Sequence, residues 1–358
     1  MHSEGLDASP LLLYCSGMSG LGKFSLLGLA IFLSSCSISA GDFQKQCAEV
    51  EKKAIDFLAT NQSAAGGFTT YEWRTLTPDK KRPIDTPFTV SQVLYSLSFC
   101  PDDTRVRSVR EKAVAYLVSQ RESPGVWRYQ GAKDFVPPDV DDTSLAWAAL
   151  KRANNSIPSE ALAALRASRN EAGLFNTWIG DPSTWAHIDS REIDPVVNLN
   201  ALLLFGMAGE KIDRVCEYGV EQLESEQYRR GSVYYPSPLA FLFAVSRAYS
   251  EGKVNCFSPN VPEILNATRA LQEKDGGWGT DYETALGLVS LLNLGEKGEA
   301  VEKGVNLLVS RQMADGGWAL STTYSGANTW LGGGRFFYGS RIVTTALCVE
   351  ALAKYLAR

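Results

Sequence analysis

One phrase recurs between residues 47 and 355: an amphipathic stretch, a polar spacer often entered by Gln, a Gly followed by an aromatic residue, a loop, and a more apolar stretch. Such a period constrains the fold more than local propensity does, because each unit can bury its apolar face only against its neighbours. The turns are Gly67-Phe68 after Gln62, Gly125-Val126-Trp127 after Gln120, and Gly173-Leu174-Phe175 after Arg169-Asn170. They continue with Gly231-Ser232-Val233-Tyr234 after Gln227, Gly277-Trp278 after Gln272 and Gly317-Trp318 after Gln312, giving six units.

The first stretch of each unit has helical spacing, as in Val301, Val305, Leu308 and Val309 before Gln312, and the glycine suits a helix end. The second stretches are apolar on more of their circumference, as in Ser144-Leu145-Ala146-Trp147-Ala148-Ala149-Leu150 and Ala201-Leu202-Leu203-Leu204-Phe205, and belong inside. The expected class is all-α, with polar-backed outer helices and apolar inner helices packing as hairpins in two concentric layers. An open array of this kind needs polar capping repeats, and neither end shows a cap pattern, so closure into a ring is expected.

The 358 residues are 45% apolar, enough for a sizeable core. Charges of both signs are interspersed at a net charge of −5, which argues against a nucleic-acid partner. The only histidines are His2 and His187, which excludes a His-rich metal centre; no metal and no cofactor are expected.

Residues 1–40 read as a leader and residues 41–358 as one toroidal domain. From Met18 the chain offers one cation, Lys23, an apolar run from Phe24 to Leu33, and then Leu33-Ser34-Ser35-Cys36. This has the layout of a secretory signal, and the run is short for a membrane span. Its end resembles the bacterial lipobox, which would make Cys36 the lipidated first residue of a periplasmic protein anchored to the membrane; cleavage as an ordinary signal near Ala40 is the other reading. Met1 to Gly17 fits neither signal nor fold and reads as an over-extended start. Export suits disulfides. Cys47 opens the first helix of one hairpin and Cys100 follows its second, and Cys216 and Cys256 stand in the same relation, so two bridges are expected. Cys15 and Cys348 stay outside this scheme.

The segments Gly304-Val305-Asn306-Leu307-Leu308-Val309-Ser310-Arg311-Gln312-Met313-Ala314-Asp315-Gly316-Gly317-Trp318 and Leu271-Gln272-Glu273-Lys274-Asp275-Gly276-Gly277-Trp278 resemble the QW repeat of squalene and oxidosqualene cyclases. The resemblance covers nearly all of the mature chain, and is strongest in the last two units. It implies the (α/α)6 toroid of the terpenoid cyclase and protein prenyltransferase superfamily, a fold that also serves thioester proteins and polysaccharide lyases.

The run Pro137-Pro138-Asp139-Val140-Asp141-Asp142-Thr143-Ser144 is similar to the DxDD motif of class II terpene cyclases. The resemblance implies that Asp141 protonates an alkene or epoxide, with Asp139 and Asp142 as neighbours. The physics agrees: three carboxylates within four residues repel one another, and an apolar cavity further favours a retained proton that a general acid can deliver. The same residues also make an ordinary helix start, with an Asp capping free backbone N–H groups. Trp147 would face a cavity and stabilise a cation; Asn198 and Glu283, at other inner-helix starts, would line the same mouth. His187 either assists a carboxylic acid or is a plain loop residue. The chain lacks the Cys and His spacing of the prenyltransferase zinc site and the thioester Cys-Gly-Glu-Gln; Cys216-Glu217-Tyr218-Gly219 is the nearest phrase to the latter. Gly332-Gly333-Gly334-Arg335 is no phosphate loop and reads as flexible.

Three functions stay open: a class II cyclase of a linear isoprenoid with Asp141 as acid, a non-catalytic exported module binding a lipid, isoprenoid or peptide, and a carbohydrate-active lyase or hydrolase. The partner expected of the first is an apolar small molecule. Because full class II enzymes cover the site with a second helical domain and this chain has residues for one toroid, a cyclase would need a second copy or a partner protein to cover the mouth, or an internal cavity. A sealed apolar cavity ending on Asp141 would favour the cyclase, and a long acidic groove the carbohydrate chemistry.

Overall fold

The amphipathic and apolar stretches alternate as outer and inner helices. In a computed structural model, which describes residues 39–75, 78, 80–132, 136–180, 192–328 and 334–358, α1 (Ala40–Asn61) is followed by α2 (Pro87–Ser96), and α3 (Thr104–Gln120) by α4 (Val140–Arg152). The pattern continues with α5 (Ser159–Ala167) and α6 (Pro195–Met207), α7 (Asp213–Glu224) and α8 (Pro238–Ser250), α9 (Val261–Ala270) and α10 (Asp281–Asn293), and α11 (Glu299–Arg311) and α12 (Arg341–Leu356). Inner helices start where the sequence provides a stop for the loop: Thr86, Asp139, Asp194, Thr280 and Ser340 each cap the following helix with a side-chain oxygen. Proline at the first turn of α2, α6 and α8 sets the helical φ at no hydrogen-bond cost.

The inner helices pack in sequence, α2 on α4, α4 on α6, α6 on α8, α8 on α10, α10 on α12, and α12 back on α2. This contact of last on first closes the ring, and the inner helices are buried along nearly their whole length. Outer helices bury one stripe; on α11 it is Val301, Gly304, Val305 and Leu308. The hairpin phase differs from the expected one. Outer α3, α7 and α11 pack more closely on the inner helix that precedes them, α2, α6 and α10, because the link from inner to outer helix is the shorter one, and ring closure sets α1 in the same place on α12.

Three of the turn glutamines act as hydrogen-bonded staples. Gln312 Nε2 donates to Gly316 O of its own turn at 2.9 Å and to Val50 O of α1 at 2.8 Å. Gln272 does the same with Gly276 O and Ala300 O, and Gln62 with Gly66 O and Val109 O. The indole N–H groups of Trp127, Trp278 and Trp318 donate back to Leu117 O, Thr268 O and Leu308 O of their own outer helices. Gly316, at φ +91°, is required here: a Cβ would run into the Lys53 carbonyl across the seam between the last and first units.

The all-α expectation missed one element. Strands β1 (Thr69–Trp73) and β2 (Arg82–Asp85) from the first unit join β3 (Thr322–Asn328) and β4 (Gly334–Gly339) from the last in an antiparallel sheet of order β2-β1-β4-β3. The sheet straddles the seam, and Gly334 and Arg335, read as part of a flexible loop, begin one of its strands. From β3, Ser325 N donates to Tyr234 O at 2.8 Å and Ser325 Oγ to Val233 O at 3.0 Å, so the sheet reaches across to the loop before α8. The sheet thus ties the first and last units to the loop before α8.

Cys216 of α7 and Cys256, in a short 3-10 segment at Asn255–Asn260, form a disulfide with Cα atoms 6.4 Å apart and a sequence separation of 40. Cys216→Ser is expected to destabilise the fold by about 2–4 kcal/mol, measured as a lower denaturant midpoint, and reductant should lower the wild-type midpoint to match. Cys47 and Cys100 are a correction: both are buried free thiols. The structural reason is the hairpin phase, which lays α1 on α12 rather than α2; Cys47 lies within electrostatic reach of Glu302 and Tyr355, and the Cys100 thiol faces Glu51. Burial pushes both thiols upward, Cys47 to about 11. Among the described residues no helix is long and apolar enough to cross a membrane. The leader, Cys36 and Cys15, and the loop carrying His187, lie outside the described residues.

Candidate active site

The three aspartates at the start of α4 are all buried, yet they do different things. Asp139 is the cap: its Oδ1 accepts the Asp142 backbone N–H at 2.7 Å, so the ordinary helix-start reading describes this residue. Its carboxyl is shifted upward by burial, against the hydrogen bonds from Asp142. Asp141 instead points across to α6 and to the loop before α8. Its Oδ1 accepts from Asn200 Nδ2 at 2.7 Å, and its Oδ2 accepts from the Tyr235 hydroxyl. Asn200 Oδ1 in turn accepts from Arg247 Nη2 of α8 at 2.7 Å. Arg247 is 2% exposed and lies over the rings of Phe243 and Tyr95, at 4.5 and 5.1 Å from their centroids.

Burial raises the Asp141 carboxyl to about 6; the bonds from Tyr235 and Asn200 and the charge of Arg247 restrain that rise. The outcome is a carboxyl that holds its proton in weakly acidic conditions while its conjugate base has two donors waiting. That combination is what a general acid needs. Tyr235 and inner-helix side chains including Phe88, Gln92, Asn200, Phe243 and Arg247 enclose a cavity of about 20 Å³ at the floor of the bore, room for a water molecule, which Asp141 meets only through its partners Asn200 and Tyr235. Among the described residues no group of three His, Cys, Asp or Glu side chains is arranged to hold a metal.

The sequence profile of the sesquiterpene cyclase astC-like C-terminal domain matches residues 108–208, the stretch that carries this motif. The type II terpene cyclase MstE from Scytonema has the same fold, with a TM-score of 0.72 at 17% identity over 88% of this chain and 99% of that one. The chain shares the toroid fold of that type II terpene cyclase. MstE has been solved with geranylgeranyl dihydroxybenzoate as substrate and merosterolic acid A as product. The toroid is also similar to ent-copalyl diphosphate synthase from Streptomyces platensis, with a TM-score of 0.56 at 16% identity over 75% of this chain and 50% of that one. A possible member of the GH105 family from Salmonella enterica gives 0.60 at 13% identity over 88% and 94%. No curated protein matches the sequence.

The remaining sequence-chosen residues of the toroid sit elsewhere. Trp147 is buried edge-to-face against Trp127, its indole N–H donating to Gly125 O at 2.8 Å, so it holds the second turn and does not line the floor cavity. Asn198 clamps the third turn: its Oδ1 accepts Phe175 N and its Nδ2 donates to Phe175 O, both at 2.9 Å. Thr143, Thr284 and Thr345 hold the backbone N–H of Trp127, Trp278 and Trp318 in the same way, which marks Asn198 as a repeat position. Glu283 closes a capping box with Thr280 and accepts from Ser237 Oγ at 3.0 Å, tying the start of α10 to that of α8. Neither Asn198 nor Glu283 lines the cavity. The residues that complete the site, Asn200, Tyr235 and Arg247, were missed. Arg247 had a signal, as the one charge within the apolar run from Leu239 to Ala248.

Proposed function

We propose that the toroid is a class II cyclase, which starts cyclisation of a linear isoprenoid by protonation from Asp141. The observation that carries this reading is that Asp141, unlike Asp139, makes no cap and spends both oxygens on Asn200 of the neighbouring inner helix and on Tyr235 of the loop before α8. Such a carboxyl gives up its proton in an apolar surround, and Asn200, Tyr235 and the field of Arg247 stabilise the carboxylate left behind. The ligands of MstE, which shares the fold, support an isoprenoid occupant. The fold alone does not choose, since the GH105-like structure shares it. Glycoside cleavage works with two carboxyls about 5–10 Å apart across a scissile bond. Here Asp139 and Asp142 are instead bonded to one another at a single helix end. Because the floor cavity holds only about 20 Å³, the isoprenoid would occupy the bore by displacing lining side chains.

The test is incubation of the purified toroid with farnesyl and geranylgeranyl alcohols, diphosphates and aryl derivatives and with their terminal epoxides, with products separated by gas or liquid chromatography and mass spectrometry. A cyclised isomer of at least one is expected at pH 5–6, where Asp141 keeps its proton. Recovery of every substrate unchanged would remove the cyclase reading.

A further inference from the structure

The charge on Arg247 is not balanced by its surroundings. Of its guanidinium donors, Nη2 is committed to Asn200 Oδ1, while Nε and Nη1 are buried with no hydrogen-bond partner among the described residues. A buried guanidinium is ordinarily matched by a carboxylate in direct contact. Arg152, which lies over the same Tyr95 ring at 5.3 Å, and Lys354 both pair with Glu251, at 2.7 and 2.9 Å; Arg247 makes no such pair among the described residues. Two carboxyls within its electrostatic reach are engaged elsewhere, Asp141 with Asn200 and Tyr235, and Glu350 with Ser96 at 2.9 Å. Burial pushes both toward the protonated, neutral form, which leaves the guanidinium with still less opposing charge. Arg247 lines the floor cavity, where Gln92 of α2 and Tyr282 of α10 bring an amide N–H and a hydroxyl. Among the described residues no carboxylate lines it, and the rest of its wall is largely apolar, including Val343 and Leu347 of α12.

We propose that the floor of the bore is a binding site for one chloride ion, with Arg247 as its positive charge and Gln92 and Tyr282 as further donors. A cavity of about 20 Å³ takes an occupant of water or halide size, and the one charged side chain on its wall is a cation, which favours an anion over a neutral water. An apolar wall with few donors does not replace the hydration shell of a doubly charged ion such as sulfate. A carboxylate with its carbon stem exceeds the space. The ion supplies the counter-charge that the guanidinium lacks, and it ties α2, α8 and α10 together at one point. This goes beyond the cyclase reading and does not depend on it, since the site stands on Arg247 and the floor cavity whatever the bore binds.

The experiment follows the melting temperature of the purified protein at fixed pH and ionic strength as sodium gluconate is replaced stepwise by sodium chloride, bromide or acetate. A ligand that binds only the folded state raises the midpoint with the logarithm of its concentration. Chloride and bromide are each expected to raise it by about 2 °C per tenfold increase once the site fills, and acetate to behave as gluconate does. Arg247→Met should abolish the halide response. Should that variant fail to fold, Tyr282→Phe and Gln92→Leu should each raise the halide concentration at which the response begins by about threefold or more. In crystals grown in bromide, an anomalous peak in contact with Arg247 is expected at the floor of the bore. Equal midpoints in halide and gluconate, the result if a water serves Arg247, would overturn the inference. So would a halide response that survives Arg247→Met, or a rise in acetate with none in bromide, which would give the floor to a carboxylate.

Discussion

Asp141→Asn is expected to lower product formation by at least about 10³-fold while making the toroid more stable above neutral pH. General acids contribute about 10²–10⁴-fold where water can substitute for them, and a buried bore gives water little part. Asparagine keeps the shape and can still meet Asn200 and Tyr235, but it has no acidic proton. The wild-type rate should be flat on the acid side of about 6 and fall about tenfold per pH unit above it, as the competent form is lost. The effect on stability follows from the same titration. Burial raises Asp141 from 3.8 to about 6, so the folded protein binds this proton more tightly than the unfolded chain does. The stabilisation is complete below 3.8 and is lost as pH rises through about 6. Holding that proton is worth about 3 kcal/mol to the folded state, an upper figure for what the asparagine variant recovers at pH 8. Melting temperatures from pH 4 to 8 check this: the variant should lead at pH 8 and the lead should vanish near pH 4. A wild type that stays the more stable at pH 8 would show that ionised Asp141 is well solvated by its donors.

The ring was legible because its repeat is local: helix period, Gly turn and Gln spacer all fall within some twenty residues of one another, as in Val301 to Trp318. The sheet was not. Thr69 to Trp73 is short, and its partner β4 lies more than 250 residues away, where only ring closure brings it. The site was legible at Asp141, whose carboxylate cluster is chemically conspicuous, and illegible where it depended on helix face. Asn198 and Asn200 are two residues apart on α6, which at 3.6 residues per turn sets them on nearly opposite sides. One faces the turn and clamps Phe175; the other faces the bore and binds Asp141. Tyr235 reaches Asp141 from a loop 94 residues downstream, which no local pattern announces. The cysteines divide for a similar reason: Cys216 and Cys256 meet because α7 packs on the 3-10 segment that carries Cys256, whereas α1 carries Cys47 onto α12.

Trp318→Ala is expected to cost about 3–5 kcal/mol, the range for emptying a large buried aromatic site, and to lower the melting temperature on the order of 10 °C. Trp318 is fully buried, its indole N–H bonds Leu308 O at 2.9 Å, and its backbone N–H bonds Thr345 Oγ1 at 3.2 Å. The alanine variant keeps the second of these and leaves Leu308 O without its donor beside a cavity. The adjacent glutamine separates the packing part of this cost from the closing of the ring. Gln312 Nε2 is the donor that bridges the last unit to Val50 O of the first, so Gln312→Ala strands Gly316 O and removes the bridge to Val50 O, which keeps its own bond within α1, and should cost about 1–3 kcal/mol. Gln120 holds the corresponding position in the second unit, but its Nε2 donates only to Ser119 Oγ at 3.3 Å on an exposed surface. Gln120→Ala should therefore change stability by no more than about 0.5 kcal/mol. Urea unfolding of the three variants reads all of these at once. Equal, small effects for Gln312→Ala and Gln120→Ala would mean that the seam is held by α12 against α1 and α2 and by the sheet, with the glutamine a passenger. A tenfold or larger difference in unfolding equilibrium would show that the staple which links successive units also closes the ring.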